Sequence, residues 1–181
     1  MSTLEVNNIK DTGSNSLISS DGSGTFTINN GVLKNTPAFE AYISADATLS
    51  NNVFTKVAHN TEVYDTDGCY DNTTNYRFTP TTAGKYYIYA AMCATSINNL
   101  YQAIVNITKN GSSVRESLFQ NGTNASYPLN RQNPFVSAVL DMNGTTDYVE
   151  SFANIQTHDG TNVLLEGAGY TYFGGYKIIG A

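Results

Sequence analysis

The chain has 181 residues, one domain's worth with some extra, and a chain of this length buries roughly 70% of the surface it exposes when unfolded. Its 9 Lys and Arg stand against 15 Asp and Glu, a net charge of -6 without any basic run, which argues against nucleic acid as a partner because that affinity rests on cations neutralising phosphates. Asn and Thr number 22 each, beside 13 Tyr, 8 Phe and no Trp, while long-chain helix formers are scarce, a mixture that favours strands and turns over helices.

The start, Met1-Ser2-Thr3-Leu4-Glu5, has neither the positive segment nor the apolar core of a secretory signal. No later run approaches the ~20 apolar residues of a membrane helix, so a soluble chain without membrane insertion is expected. From residue 1 to about 35, Val6, Ile9, Leu17, Ile18, Phe26, Ile28, Val32 and Leu33 are spread thinly among Gly13, Asp21-Gly22, Ser23-Gly24 and Asn30-Gly31. Strands of three to five residues follow from that spacing, too short to build a core alone. Such a segment is either a disordered arm or a short intertwined stalk or docking piece; its lack of proline and its regular turns favour the second.

From Pro37 onward about ten strands are predicted, over 38–45, 53–58, 61–64, 70–78, 84–94, 100–108, 113–119, 134–141, 147–156 and 169–179, and no helical period competes with them. Between Phe78 and Gly84 the chain makes a tight connection, since Pro80 cannot donate to a ladder and Gly84 tolerates dihedrals other residues avoid. In strand 84–94, Tyr86, Ile88, Ala90 and Met92 alternate with Tyr87, Tyr89, Ala91 and Cys93, so both faces are apolar enough to be covered, in a sandwich or an oligomer. Asn110-Gly111 and Asn143-Gly144 each lie between apolar runs and supply the positive dihedrals of tight hairpins. Many short strands at regular spacing predict an all-β sandwich or barrel.

Cys69 and Cys93 are too few for a disulfide framework and are read as two independent thiols, Cys93 in the core and Cys69 in a loop. Six Asn-x-Ser/Thr triplets, beginning at Asn72, Asn106, Asn110, Asn121, Asn124 and Asn143, are expected by chance in a chain this rich in Asn and Thr, and are read as unmodified. His59 and His158 are placed in polar loops without the spacing of a catalytic pair or triad, so no enzyme and no cofactor are expected. Asp65, Asp67 and Asp71 around Gly68 offer oxygen ligands for calcium, but the loop is shorter than a twelve-residue calcium loop and lacks its closing Glu, so a solvated acidic turn is the default and no metal is expected.

Several residues together carry a resemblance: Phe54 with Asn60, Tyr70-Asp71 ahead of Phe78-Thr79-Pro80, Gly84 and Tyr86, Lys109-Asn110-Gly111, Asp147-Tyr148-Val149, and the closing Tyr172-Phe173-Gly174-Gly175-Tyr176-Lys177-Ile178-Ile179. This order resembles the jelly-roll family of the complement globular heads and tumour necrosis factor cytokines, in the versions found in bacteriophage tail-fibre and virion appendage proteins. The run from Val6 to Ile28 is similar to segments that precede such heads in phage fibre and virion proteins. The resemblance departs from the family's pattern in the distances from Asn60 to Tyr70 and from Tyr70 to Phe78, and at Ile88 and Ala90, where aromatics are usual.

The resemblance implies an antiparallel jelly-roll head over 37–181, an attachment or stalk segment over 1–36, and a homotrimer with Phe78, Tyr86, Ile88, Phe173 and Tyr176 in its core or subunit contacts. In a jelly roll successive connections alternate between the two ends of the domain. Starting from Pro37, connections 46–52, 65–69, 95–99, 120–133 and 157–168 then share the end remote from the arm. Asn98, Asn99, Asn124, Tyr127, Asn130, Arg131, Gln132, His158 and Asp159 lie there, a mixture of amides, aromatics and one Arg suited to sugar or protein contact. The expected function is that of a non-enzymatic, trimeric tail-fibre or receptor-binding appendage, assembled in the bacterial cytoplasm, joined to other virion proteins through 1–36 and meeting a host glycan or protein with its outer loops. The alternative is a purely structural head fibre, decoration or tail-adaptor protein.

Overall fold

Alternating side chains and frequent turns leave strand as the only regular structure in the computed structural model, which describes residues 7–28, 34–96, 100–121 and 129–180. The arm forms β1 (Asn8–Lys10), β2 (Ser16–Ser20) and β3 (Phe26–Ile28), which pair only with one another. Asp11 and Asp21 build its turns: the Asp11 Oδ1 accepts from the Gly13 and Asn15 N–H groups at 2.9 Å, and the Asp21 Oδ1 accepts from the Ser23 N–H at 2.8 Å. Ile9, Ile18 and Ile28 stand opposite one another across the three strands, but Ile18 and Ile28 are only half-buried and Ile9 and Phe26 are exposed, so the described residues of the arm form no covered core.

The head begins with β4 (Ala38–Tyr42), β5 (Ala47–Leu49), β6 (Thr55–Lys56), β7 (Thr61–Asp65), β8 (Tyr70–Asp71) and β9 (Arg77–Phe78). It continues through β10 (Gly84–Ala91), β11 (Ala94–Thr95), β12 (Leu100–Lys109), β13 (Ser112–Gln120) and β14 (Arg131–Gln132) to β15 (Phe135–Met142), β16 (Val149–Thr157), β17 (Val163–Leu165) and β18 (Tyr172–Lys177). One sheet runs β15-β10-β18-β4-β7 and the facing sheet runs β13-β12-β16-β9-β8, with β6 also on β16; every pairing is antiparallel. Between them Phe39 stacks on Phe78 at 4.4 Å and on Tyr70 at 4.9 Å and meets Phe173 edge-on at 5.0 Å. Tyr86, Ile88, Met92, Ile107 and Ile155 complete the core, fully buried.

Four expectations are corrected. The span 70–78 is two short strands, not one: the Asp71 carboxylate accepts the N–H groups of Thr73, Thr74 and Asn75, turning the chain, and these bonds, Thr74 first, hold the carboxyl well below the usual range. The span 53–58 shrinks to Thr55–Lys56. Connections 46–52, 95–99, 120–133 and 157–168 are not all loop: β5, β11, β14 and β17 arise within or beside them and form a third sheet, ordered β14-β11-β17-β5. Strands of two or three residues are too short to show a period, and pairing alone makes them visible.

The fourth correction concerns the two Asn-Gly signals. Asn110 and Gly111 both take positive φ, 52° and 78°, and close a hairpin in which Lys109 pairs with Ser112. Asn143-Gly144 closes none, because β15 pairs with β10 and β16 pairs with β12, in opposite sheets. The segment after Asn143 is instead an interlayer connection, in which the Asn143 Oδ1 accepts the N–H groups of Thr145, Thr146 and Asp147. It packs against another interlayer connection, which runs from Phe78 to Gly84: a Cβ on Gly144 would lie 2.3 Å from the Ala83 nitrogen.

Candidate functional site

Strand parity sorts the residues of β10 between two environments. Tyr86, Ile88 and Ala90 face the core, while Lys85, Tyr87 and Tyr89 face outward. The expectation that both faces are covered is therefore met by this chain on one face only. Of the proposed core or subunit-contact residues, Phe78, Tyr86, Ile88 and Phe173 are fully buried inside the sandwich, and Tyr176 alone stands on the outer face, 38% exposed.

That outer face is paved with tyrosine. Tyr87 lies 6.0 Å from Tyr89 and 5.6 Å from Tyr176, and Tyr89 lies 6.2 Å from Tyr172. The Tyr89 hydroxyl donates to Glu40 at 2.6 Å, and burial together with this bond pushes its pKa up, so it remains a neutral donor. The closing Gly-Gly pair permits this arrangement. A Cβ on Gly174 would sit 2.4 Å from the Tyr89 hydroxyl, and one on Gly175, facing inward, would sit 2.5 Å from Ile88 Cδ1. Glu40, Tyr42, Val63, Tyr89, Phe135 and Tyr172 line a hollow of about 550 Å³ on this face, and Phe135, Val139, Val63 and Tyr64 remain exposed. Lys85 pairs with Asp141 at its margin at 2.6 Å. Sequence reading placed Tyr87 and Tyr89 on a second apolar face of strand 84–94 and Tyr176 among the contact residues, and missed that Tyr42 and Tyr64 join them on the same outer face.

At the opposite end of β10, the proposed contact residues divide. Asn98, Asn99, Asn124 and Tyr127 lie outside the described residues. Arg131 belongs to β14, not to a loop, and its guanidinium is engaged on three sides: Nη2 lies 2.7 Å from Glu166, Nε donates to Cys93 Sγ at 3.0 Å, and the group sits 4.5 Å over the Tyr170 ring. Burial pushes the Cys93 thiol up in pKa, with Arg131 opposing, and both cysteines are free and buried. Arg131, Asn130, Thr95, Thr161 and Asn162 line a hollow of about 620 Å³ floored by Leu164. Asp159 caps the adjoining turn by accepting from the Thr161 N–H and Oγ1, and His158 meets the Tyr101 ring at 5.0 Å. The structure thus brings Arg131 to the loop that carries Asp159, and sequence reading missed Cys93, Glu166 and Tyr170 as the partners that hold it.

His59 is corrected as well. It is not in a polar loop but 1% exposed, 5.6 Å from Phe173, with neither ring nitrogen hydrogen-bonded, and burial drives its pKa down to about 3. The Asp65, Asp67 and Asp71 carboxylates are engaged by neighbouring groups of the chain: Asp65 accepts from the Tyr70 N–H at 2.8 Å, Asp67 from the Thr66 hydroxyl at 2.8 Å, and Asp71 caps the next turn. Among the described residues no group of three or more His, Cys, Asp or Glu is placed to hold a metal ion.

No family model and no curated protein sequence matches the chain. Solved structures do. The Eiger TNF of S. frugiperda superposes with a TM-score of 0.52 at 12% identity, over 80% of this chain and 93% of that one. Murine APRIL superposes with a TM-score of 0.54 at 10% identity, over 78% and 98%. The head is an antiparallel jelly roll of the tumour-necrosis-factor-like kind.

Proposed function

We propose that the chain is a non-enzymatic, homotrimeric phage virion protein, a tail-fibre or receptor-binding appendage whose arm, residues 1–36, joins other virion proteins. The observation that carries this reading is the outer face of the five-stranded sheet. Tyrosines and exposed Phe135 and Val139 cover it, and Glu40 is already bonded to Tyr89. Aromatic enrichment and depletion of free charge mark the centre of a protein interface, and an obligate contact of this kind commonly buries about 2,000 Å² or more. The arm supports the same reading, because three short strands that leave Ile9, Leu17 and Phe26 exposed need a neighbour to cover them. The virion and the bacterial cytoplasm as its place of assembly rest on the resemblance of arm and head to phage appendages.

One observation favours the second reading, a structural head fibre, decoration or tail adaptor. Arg131, the strongest anchor among the proposed contact residues, is bound to Glu166, Cys93 and Tyr170 of its own chain. Light scattering of the purified chain tests the assembly: a stable monomer at micromolar concentration overturns it. Exchange of the 120–133 loop in phage carrying this protein tests the role. Reduced adsorption to the host supports the receptor-binding reading, and unchanged adsorption with normal incorporation supports the structural one.

A further inference from the structure

The sheet opposite the tyrosine face has a groove with an unusual floor. Asn106 of β12 stands in register between Glu116 of β13 and Phe152 of β16, so the three form one row across the outer surface. Phe54, from the segment leading into β6, closes the row on one side, and with Thr108 and Ser113 these residues line a groove of about 350 Å³, within the range of small-ligand sites. Asn106 is only 4% exposed. Its Nδ2 donates to Ser113 Oγ at 2.7 Å and to Glu116 Oε2 at 3.3 Å. A carboxylate only accepts, so this contact sets which end of the amide faces Glu116 and leaves Oδ1 as the other end, buried without a donor. A buried acceptor left unpaired is costly, and such groups are rare enough to call for an explanation.

We propose that this groove binds a neutral sugar residue. Both Nδ2 hydrogens of Asn106 are in use, Glu116 has only acceptors, and the Thr108 hydroxyl is directed to the Glu150 carbonyl at 3.5 Å. What the floor and the Glu116 wall still offer is acceptors, so the ligand must bring donors. The other walls, Phe54 and Phe152, offer flat apolar rings. A pyranose has both requirements, hydroxyl donors around its edge and C–H groups on its face. Charge in the row opposes an anion: Glu116 is negative, and Lys56, paired in register with Phe152, is already neutralised by Glu150, so a cation is the competitor that a probe must separate from the sugar. The groove lies within a single chain and stands whether or not the tyrosine face mediates assembly.

The test is a titration of the full-length, isotope-labelled protein with D-glucose, D-galactose and N-acetyl-D-glucosamine, each followed by amide chemical shifts, with n-butylamine as the cationic probe. Saturable shifts at Asn106, Thr108, Ser113, Glu116 and Phe152 with at least one sugar are expected, lost in Phe54→Ala while its melting temperature is kept. Should Phe54→Ala melt lower, Phe54→Leu, which keeps apolar cover but removes the ring, takes its place with the same expected loss. No saturable shift with any of the three sugars overturns the proposal. So do a response to n-butylamine alone, shifts confined to the hollow at Arg131, or sugar binding that persists without the Phe54 ring.

Discussion

The two main sheets bury the same kind of core face but turn different faces outward. On the five-stranded sheet the outward set is Tyr87, Tyr89, Tyr172 and Tyr176, each ring about 6 Å from a neighbour, with the Tyr89 hydroxyl donating to Glu40. On the facing sheet the outward residues include Asn106, Glu116, Phe152 and Asn154, with polar bonds from Asn106 to Glu116 and from Asn154 to Asn52, and the Lys56–Glu150 pair beside them. The alternation of two is the same in both, so the backbone does not distinguish them. Side-chain chemistry does: amides and carboxylates on one face keep their hydrogen bonds in water, whereas tyrosine rings lose little by meeting another protein and gain by leaving water.

The largest effect is expected where the inner faces meet. Ile88→Asp places a charge at a fully buried position and should abolish cooperative unfolding altogether, read by calorimetry and by solubility. A soluble protein with an unchanged melting temperature would falsify the assignment of that face to the core.

Next comes the contrast between the outer faces. The double change Tyr87→Asp and Tyr176→Asp should convert the assembly to a folded monomer by light scattering. Leu118→Asp, at an exposed position on the facing sheet, should leave both mass and stability unchanged, within about 0.5 kcal/mol. If both variants dissociate, or neither does, the tyrosine face is not the subunit contact.

A smaller effect is expected with pH. Burial lowers the folded pKa of His59 to about 3 from the ordinary 6.5, so below pH 6.5 the unfolded chain takes up a proton that the folded chain refuses. Stability contributed by the neutral imidazole is present above pH 6.5 and is lost as pH falls toward 3, with a slope of up to about 1.4 kcal/mol per pH unit. Chemical denaturation between pH 6.5 and 5 should show this slope, and His59→Leu should flatten it; a slope that persists in the variant assigns it to other groups. Asp147, held at about 2 by the Asn110 side chain and Lys109, titrates below that window.

Least is expected at the distal end. Arg131→Ala removes a part-exposed ion pair with Glu166 and a ring contact with Tyr170, both weakened by the solvent that reaches the guanidinium. The melting temperature should fall by a few degrees, without loss of assembly. A collapse of the fold would show that β14 and its sheet hold the sandwich together, which the contrast between the two main sheets does not foresee.

Much of this was legible residue by residue. Alternation put Tyr86, Ile88 and Ala90 on one face of strand 84–94 and Tyr87 and Tyr89 on the other, Asn110-Gly111 marked a true hairpin, and Pro80 with Gly84 marked a tight connection, because side-chain period and turn dihedrals are local properties. Asn143-Gly144 carried the same local signal and joins two different sheets, since a turn's chemistry permits a hairpin without choosing the partner strand. The sheet of β5, β11, β14 and β17 had no local signal, as its strands are shorter than one full alternation. Likewise the burial of His59, the engagement of Arg131 and the passage of Tyr89 over Gly174 join residues more than thirty positions apart, and proximity of that kind comes from strand pairing and layer packing rather than from any neighbour in the chain.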